Sequence, residues 1–424
     1  MRAVAPAVVF FIVAGLVPLV VRDAFLLDGL VLILIWGASA AAWNVAGGYA
    51  GQVSLGHSAF FGLGAYAAAL LGTRWGVSPW LGLVVGALVA TIVGLVIGYL
   101  SNRLRGPYFV LATIAFSQVL LIVGSRWRGF TAGSEGIPVP FRPGFWTLGI
   151  ADKRVWVWIV LALAVIVYLV ELYLERSRRG YQLAAVREDE DAALSLGVPA
   201  RQLKVAAIAV SAALTAACGA LWAQYVGFVD PFYVFSVDLS VRFALAAIIG
   251  GLGTALGPFL GSLLVTTLET YLRAQFGGIG AGLVGIYLII YGIILILVVR
   301  FVPEGLTVIG DPAKLHDALR NLLENAINYS PDAGTIILGA HRHQDRVVIT
   351  VIDQGPGIPA ADVDRVFERF YRADKARSRG GKDPGGTGLG LAIVKHLVEL
   401  HGGKASAANR PQGGAVITLS LPAA

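Results

Sequence analysis

Apolar segments long enough to cross a bilayer follow one another through the first 306 residues, and this feature decides the solvent in which the chain folds. They lie near 4–21, 25–45, 55–72, 80–100, 107–125, 155–174 and 205–222. The stretch from Leu239 to Tyr271 is too long for one ordinary span and is interrupted by Gly250, Gly251, Gly253, Gly257 and Pro258. It therefore reads as two helices meeting at a break. Gly282 to Arg300 supplies a last segment, so about ten transmembrane helices are expected. Met1 to Val21 has the charged start and apolar run of a signal peptide. The next apolar segments come at once and no small-x-small cleavage site follows, so it is read as a retained first helix.

Charge divides the chain in two. Of the 59 Lys, Arg, Asp and Glu, 33 lie in residues 1–306 and 26 in the much shorter remainder, while the whole chain is 57% hydrophobic and 14% charged. These values fall outside the range of soluble domains. The net charge of +7 divides as +5 and +2, which suits the cytoplasmic loops of a membrane protein, and without a basic aromatic cluster no nucleic-acid partner is expected. Ten spans place both termini on one side, together with the basic loops at Arg103/Arg105 and Arg176 to Lys204. The positive-inside rule makes that side the cytoplasm of a plasma (inner) membrane. Cys218, the single cysteine, sits in an apolar run and is expected to pack there; an intrachain disulfide is excluded.

The transmembrane part concentrates small residues at Gly47, Gly48, Gly51, Gly56, Gly62 and Gly64, interleaved with Asn44, Gln52, Ser54 and His57. Close helix packing explains the glycines. The polar groups either satisfy one another or line a solute path, because such groups are costly against hydrocarbon. Five ordered blocks carry more information: NVAGGYAGQVSLGHSAFFGLGAY (44–66), RLRGPYFVLATIAF (103–116), TAGSEGI (131–137), the loop 175–204 and AAIIGGLGTALGPFLG (246–261). In the loop, Arg178, Arg179 and Gly180 precede a helix-like run from Tyr181 to Leu196 that holds Arg187 and Glu188 and ends before Gly197.

Residues 25–305, with these blocks, resemble the permease subunit of branched-chain amino acid ABC importers. The resemblance implies a coupling loop at 175–204 that docks on ATPase subunits through the segment holding Arg179, Gly180, Arg187, Glu188 and Gly197. It also implies a second permease subunit, two ABC ATPase subunits and a periplasmic binding protein that delivers leucine, isoleucine or valine. No covalent chemistry is implied for this part. Arg242 departs from expectation, since a cation inside a span is costly. Two placements lower that cost: the membrane interface, where it would snorkel, or a carboxylate partner.

After Leu306 the pattern changes to a charged amphipathic helix (312–329), alternating strands (335–340 and 346–352), glycine-rich loops, a helix (390–401) and a closing strand (415–421). This is a soluble α+β domain joined without a Pro/Gly/Ser linker. Asn321 and Asn325 share a helix face, a geometry in which two amides can hold Mg2+ and phosphate oxygens. Downstream stand Asp353-x-Gly355-x-Gly357, then Phe367-Glu368-Arg369-Phe370, then Gly385 to Leu391. Glycines at this density let backbone N–H groups approach phosphates.

Residues 307–424, with these motifs, resemble the histidine-kinase ATP-binding domain. The resemblance implies a Bergerat-type α+β sandwich that binds ATP with Mg2+. Asn325 would ligate Mg2+ beside Asn321, Asp353 would accept from the adenine amino group, and Tyr329 would pack on the base. Gly355 and Gly357 would shape the adenine loop, and Gly386, Thr387, Gly388, Leu389 and Gly390 the phosphate lid. Related ATP hydrolases carry a glutamate base where Asn321 stands, so hydrolysis is not implied. Asn328 stands where a phosphate-binding lysine is common. The domain is read as incomplete, because a membrane helix ends where its first strand would lie. The phosphoacceptor helical hairpin of histidine kinases is not recognised, and His316, His341, His343, His396 and His401 lack its context. Three readings follow: a permease subunit (1–305) with an ATP-binding module (307–424), a sensor histidine kinase with a transporter-like sensor, and a non-functional chimera of two genes.

Overall fold

The computed structural model describes residues 5–100, 104, 106–195, 197–276, 292, 312–331, 334–343, 346–359, 362–363, 365–368, 371, 390–400, 402–410 and 413–422. It divides into two compact units, Met1–Thr307 and Val308–Ala424. The expected span at Gly282 to Arg300 lies outside the described residues, apart from Gly292, as do Arg103 and Arg105.

The first unit is helical: α1 (Ala5–Val20), α2 (Ala24–Asn44), α3 (His57–Trp75), α4 (Pro79–Leu100), α5 (Pro107–Arg126), the short α6 (Arg128–Thr131), α7 (Lys153–Arg176), α8 (Arg178–Glu188), α9 (Glu190–Ser195), α10 (Ala200–Val226), the short α11 (Pro231–Val234), α12 (Val237–Gly250) and α13 (Gly257–Phe276). Five helices among the described residues are long and apolar enough to cross a membrane: α2 with its extension to Tyr49, α4, α5, α7 and α10. Caps set their starts, as the Asp23 carboxylate accepts from the backbone N–H of Phe25 and Leu26 at 2.9 Å and Asp152 accepts from Arg154 N. A two-residue pair, β1 (Ile137–Pro138) with β2 (Phe228–Val229), ties the α5–α7 connection to the end of α10.

Small residues decide how the helices meet. On α4, Gly82, Gly86, Ala90, Gly94 and Gly98 recur every fourth position and are buried, while Leu81, Val84, Leu88, Ile92 and Tyr99 face outward. The stripe lies against Ala68 and Gly64 of α3 at one end and Ala212 and Val205 of α10 at the other. Between α3 and α10, a Cβ on Gly64 would lie 1.9 Å from the Ala216 carbonyl oxygen, and one on Gly219 would lie 2.0 Å from that of Phe61. Backbones approach this closely only through glycine, so in a lipid setting dispersion contact replaces the hydrophobic drive that water supplies to soluble bundles. Trp36, Phe61, Trp222 and Phe243 fill the centre, and Cys218 is buried among them.

The structure refines the helix boundaries in two places. α2 does not stop at Asn44 but widens into a π-helical turn, Val45–Tyr49, where Gly47 and Gly48 allow the backbone to approach Trp43 and Asn44. The run Tyr181 to Leu196 is two helices, because Asp189 is extended (φ −153°, ψ 104°) and its carboxylate accepts from Asp191 N at 3.1 Å, capping α9. The expected break between α12 and α13 is present, with Gly251 at φ 119° and Gly253 at φ 73°.

The second unit is a two-layer α+β sandwich. Its antiparallel sheet has the order β3-β4-β6-β5, from β3 (Ile337–His343), β4 (Arg346–Ile352), β5 (Lys404–Asn409) and β6 (Ala415–Pro422). Helices α14 (Pro312–Tyr329) and α15 (Gly390–Leu400) cover one face. Leu322 and Ala326 of α14 and Val394 and Val398 of α15 close over Val351, Ile417, Leu419 and Leu421. On β6 the inward positions alternate with outward ones, the period of a half-buried strand.

Candidate functional site

In the first unit a buried polar cluster joins four elements around the π-turn. Asn44 is fully buried: its amide nitrogen donates to Glu171 Oε1 of α7 at 2.7 Å and to the Thr254 carbonyl at 3.2 Å, and its Oδ1 accepts from Gly253 N at 2.9 Å. One turn along α7, Glu175 Oε2 accepts from Ala255 N at 3.2 Å. Arg187 of α8 donates through Nη1 to the Gly48 carbonyl at 2.7 Å and pairs with Glu188 at 3.0 Å. The α12–α13 break, the π-turn, α7 and α8 are thus fastened to one another at single atoms. Gly48 belongs there sterically as well, since a Cβ would lie 1.8 Å from Asn44 Oδ1.

The other polar residues of this stretch are also buried. His57 Nε2 lies 2.7 Å from Ser211 Oγ, which donates to the Ala42 carbonyl at 2.6 Å. Nε2 must therefore carry the proton, and Nδ1 finds no partner among the described residues. Ser54 Oγ accepts from Gly56 N, and the Ser54 carbonyl accepts from the Trp43 indole at 2.7 Å. Gln52 Oε1, Tyr49 Oη and Ser58 Oγ are buried and have no hydrogen-bond partner among the described residues. Buried polar atoms are rarely left so, and four of them fall between residues 49 and 58.

The loop from α8 to α9 is amphipathic. Leu183, Val186 and Ala193 are buried, and the Lys204 ammonium pairs with Glu190 at 2.9 Å in a shielded setting. Arg179, Glu188 and Gly197 face outward, the last at φ 79°, together with Tyr181 and Leu194. Gly180 is buried because a Cβ there would meet the Leu174 carbonyl at 1.7 Å. Arg242 finds the carboxylate partner that sequence alone did not identify: it pairs with Glu269 of α13 and lies over the Trp36 ring, 5.3 Å from its centroid. Glu171 and Glu269 were both legible as ionisable residues inside apolar runs, the signal that should have singled them out.

In the second unit Asp353 directly follows β4 and is 9% exposed. Its Oδ1 accepts from Gly355 N at 2.9 Å and Ala415 N at 3.0 Å, and neither bond uses Oδ2. The C-terminal end of α14 abuts the same turn: a Cβ on Gly355 would lie 2.6 Å from the Tyr329 carbonyl. Asn321, Asn325 and Tyr329 lie on one row of α14, the first two half-buried and Tyr329 exposed. Gly357 is at φ 77°, and Asn409 of β5 clamps the loop by accepting from Ile358 N at 2.7 Å and donating back to the Ile358 carbonyl. Asn409 was not singled out from sequence, as nothing local marks an edge-strand asparagine as a loop clamp. Asn409→Ala is expected to cost about 0.5–1.5 kcal/mol, the net contribution of an ordinary hydrogen bond, because these groups are exposed and water takes the lost partner's place; chemical denaturation of the second unit, followed at its own transition, checks this.

Phe367 enters the core, while Arg365 stacks over Tyr371 at 4.4 Å from its ring centroid and pairs with Glu368. The Tyr371 hydroxyl, donated to Asp362, titrates above its ordinary value near 10 because ionisation would set two negative oxygens together. Gly390 opens α15. Gly386, Thr387, Gly388 and Leu389 lie outside the described residues, as do Arg369, Phe370 and His401.

A family model described as branched-chain amino acid transport system / permease component matches residues 25–299. A second, histidine kinase-, DNA gyrase B- and HSP90-like ATPase, matches residues 310–424. Among curated proteins, the chain is 30% identical over 253 residues to the high-affinity branched-chain amino acid transport system permease protein LivM of Escherichia coli, covering 54% of this chain and 59% of that one. It is 47% identical over 121 residues to the sensor-like histidine kinase SenX3 of Mycobacterium tuberculosis, covering 28% of this chain and 29% of SenX3. Among solved structures, the mycobacterial sensor histidine kinase MprB is 38% identical, with 27% of this chain and 76% of that chain covered, at a TM-score of 0.24. The chain thus spans about three tenths of the length of the kinase SenX3 and about three fifths of the permease.

Proposed function

This chain belongs to the branched-chain amino acid transport system permease family, and from that premise we propose that it is the transmembrane permease subunit of an ABC importer for branched-chain amino acids, carrying a C-terminal ATP-binding module of histidine-kinase type. In this reading ten helices cross a bacterial inner membrane and both termini are cytoplasmic. A second permease subunit completes the path, two ABC ATPase subunits dock on α8 and α9, and a periplasmic binding protein delivers the solute. The observation that carries the reading is the Arg187 bond to the Gly48 carbonyl. It links the exposed loop directly to the π-turn, so a pull on α8 acts on the backbone beside the buried polar atoms of Tyr49, Gln52, His57 and Ser58 that have no partner among the described residues. Those atoms are the reason to route a solute here.

Deleting the gene from its host is expected to lower uptake of labelled leucine, isoleucine and valine at least tenfold. Arg187→Ala should lower it severalfold while the protein remains in the membrane. Uptake unchanged by the deletion would sink the importer reading.

The second unit fits ATP in one respect visible in its own geometry: Asp353 keeps Oδ2 clear of its two backbone bonds, as an acceptor for an adenine amino group must. In this reading Asn325, beside Asn321, holds Mg2+, and Tyr329 covers the base. Bound ATP would supply a transferable phosphoryl group. The close likeness of residues 310–424 to sensor kinases favours a second reading, a membrane sensor kinase with a transporter-like sensor that phosphorylates another chain. Incubating membranes with γ-labelled ATP tests it: an acid-labile labelled protein that disappears with Asn325→Asp supports the kinase, and no labelled protein counts against it. A chimera of two genes predicts instead that antibodies to the two units detect no common 44.6 kDa protein in the host.

A further inference from the structure

We propose that the cleft at the rim of the first unit, where α2 and α7 begin and α10 ends, binds a zwitterion: an ammonium and a phosphate or carboxylate carried on one small molecule or one lipid headgroup. The cleft has a volume of about 370 Å³ and is lined by Asp28, Leu32, Ile150, Lys153, Trp156 and Tyr225 among others. That size lies within the range of small-ligand sites. Opposite charges stand at its mouth. Lys153 Nζ lies 2.9 Å from Asp28 Oδ1, and the Tyr225 hydroxyl donates to the same oxygen. The wall below is apolar and fixed, since the Trp156 indole donates to the Ile150 carbonyl at 2.9 Å and meets the Tyr225 ring edge-on at 5.3 Å.

Three observations separate this pair from a structural brace. Its side chains are 39% and 40% exposed, whereas the Lys204–Glu190 pair in the same unit is 10% and 19% exposed. A pair this open contributes little to stability, because water competes for both partners. The neighbouring charges Asp152 and Arg154 are occupied with each other at 2.7 Å, so neither neutralises Asp28 or Lys153. Finally, charge, hydroxyl and aromatic wall converge on one concavity. A zwitterion entering it exchanges one ion pair for two, ammonium to Asp28 and Tyr225 and anion to Lys153. A lone anion would face Asp28, and a lone cation would face Lys153, so the site selects for both charges on one molecule.

The test uses the full-length chain purified in detergent, with native mass spectrometry against phosphatidylethanolamine, phosphatidylglycerol and L-leucine. Retention of phosphatidylethanolamine at least tenfold over phosphatidylglycerol identifies a lipid headgroup, and saturable L-leucine binding identifies a free amino acid. Asp28→Asn keeps an oxygen for Tyr225 and Lys153 but removes the charge. It is expected to lower zwitterion retention about tenfold and to leave phosphatidylglycerol retention equal or raised, a switch in preference that a structural role would not produce. Lys153→Gln, with its fold checked by thermal unfolding, serves if Asp28→Asn does not fold. Equal retention of the two lipids with no leucine binding overturns the proposal, as does zwitterion retention unchanged by both substitutions.

Discussion

Replacing Asn44 with leucine is expected to lower the unfolding temperature of the purified chain by roughly 10 °C or more, a loss far beyond that of an ordinary buried amide. One side chain there makes three hydrogen bonds to two other elements: Glu171 of α7, and Gly253 N and the Thr254 carbonyl in the α12–α13 break. Leucine fills a similar volume, so no cavity term arises. The penalty comes from the partners left behind, about 1–3 kcal/mol for each stranded buried group and more for a carboxyl group. At about 2 °C per kcal/mol for a unit larger than the 150–250-residue range, the three stranded partners together reach the predicted shift. The Glu171→Gln control keeps an oxygen at the Oε1 position for the Asn44 amide and is expected to shift the temperature by only a few degrees. Thermal unfolding followed by tryptophan fluorescence in detergent separates the two; equal shifts would mean that the cluster is not held together through Asn44.

Much of this arrangement was readable from sequence, and the parts that were not share a physical cause. Hydropathy located α1 to α5, α7, α10 and the broken α12–α13 pair, because spans are dictated by bilayer thickness and require no knowledge of partners. What it did not reveal was which acid meets Arg242, since Glu269 is 27 residues away on another helix and only the turn at Gly251 to Gly257 brings them together. Strand β5 was missed for a different reason. Lys404–Asn409 contains no β-branched or aromatic residue, and it is a strand because β6 offers it a partner edge, an instance of context overriding propensity. In the second unit the ordered motifs located Asp353 and the α14 row. The clamp by Asn409 and the shared bond to Ala415 N depend on sheet order, which no local pattern encodes.

Asp353 has one duty in the fold and, in the proposed function, a second, and the substitution that divides them has the second large expected effect. Its Oδ1 holds the loop by accepting from Gly355 N and Ala415 N, a structural task that an amide oxygen can perform equally well. In the proposed function the other oxygen accepts from the adenine amino group, a task an amide nitrogen cannot perform because it would set donor against donor. Asp353→Asn is therefore expected to leave the second unit folded while weakening Mg-ATP binding roughly 100-fold, since a hydrogen bond to a charged group contributes about 1.5–3 kcal/mol and the donor clash adds to its loss. Asp353→Ala should instead lose both duties, lowering the stability of the second unit along with the affinity. Equilibrium titration of the full-length chain with Mg-ATP, paired with denaturation of each variant, distinguishes these outcomes. If Asp353→Asn bound Mg-ATP as tightly as the unsubstituted chain, the carboxylate would be a loop anchor alone, and the adenine contact would have to be sought elsewhere on the α14 face.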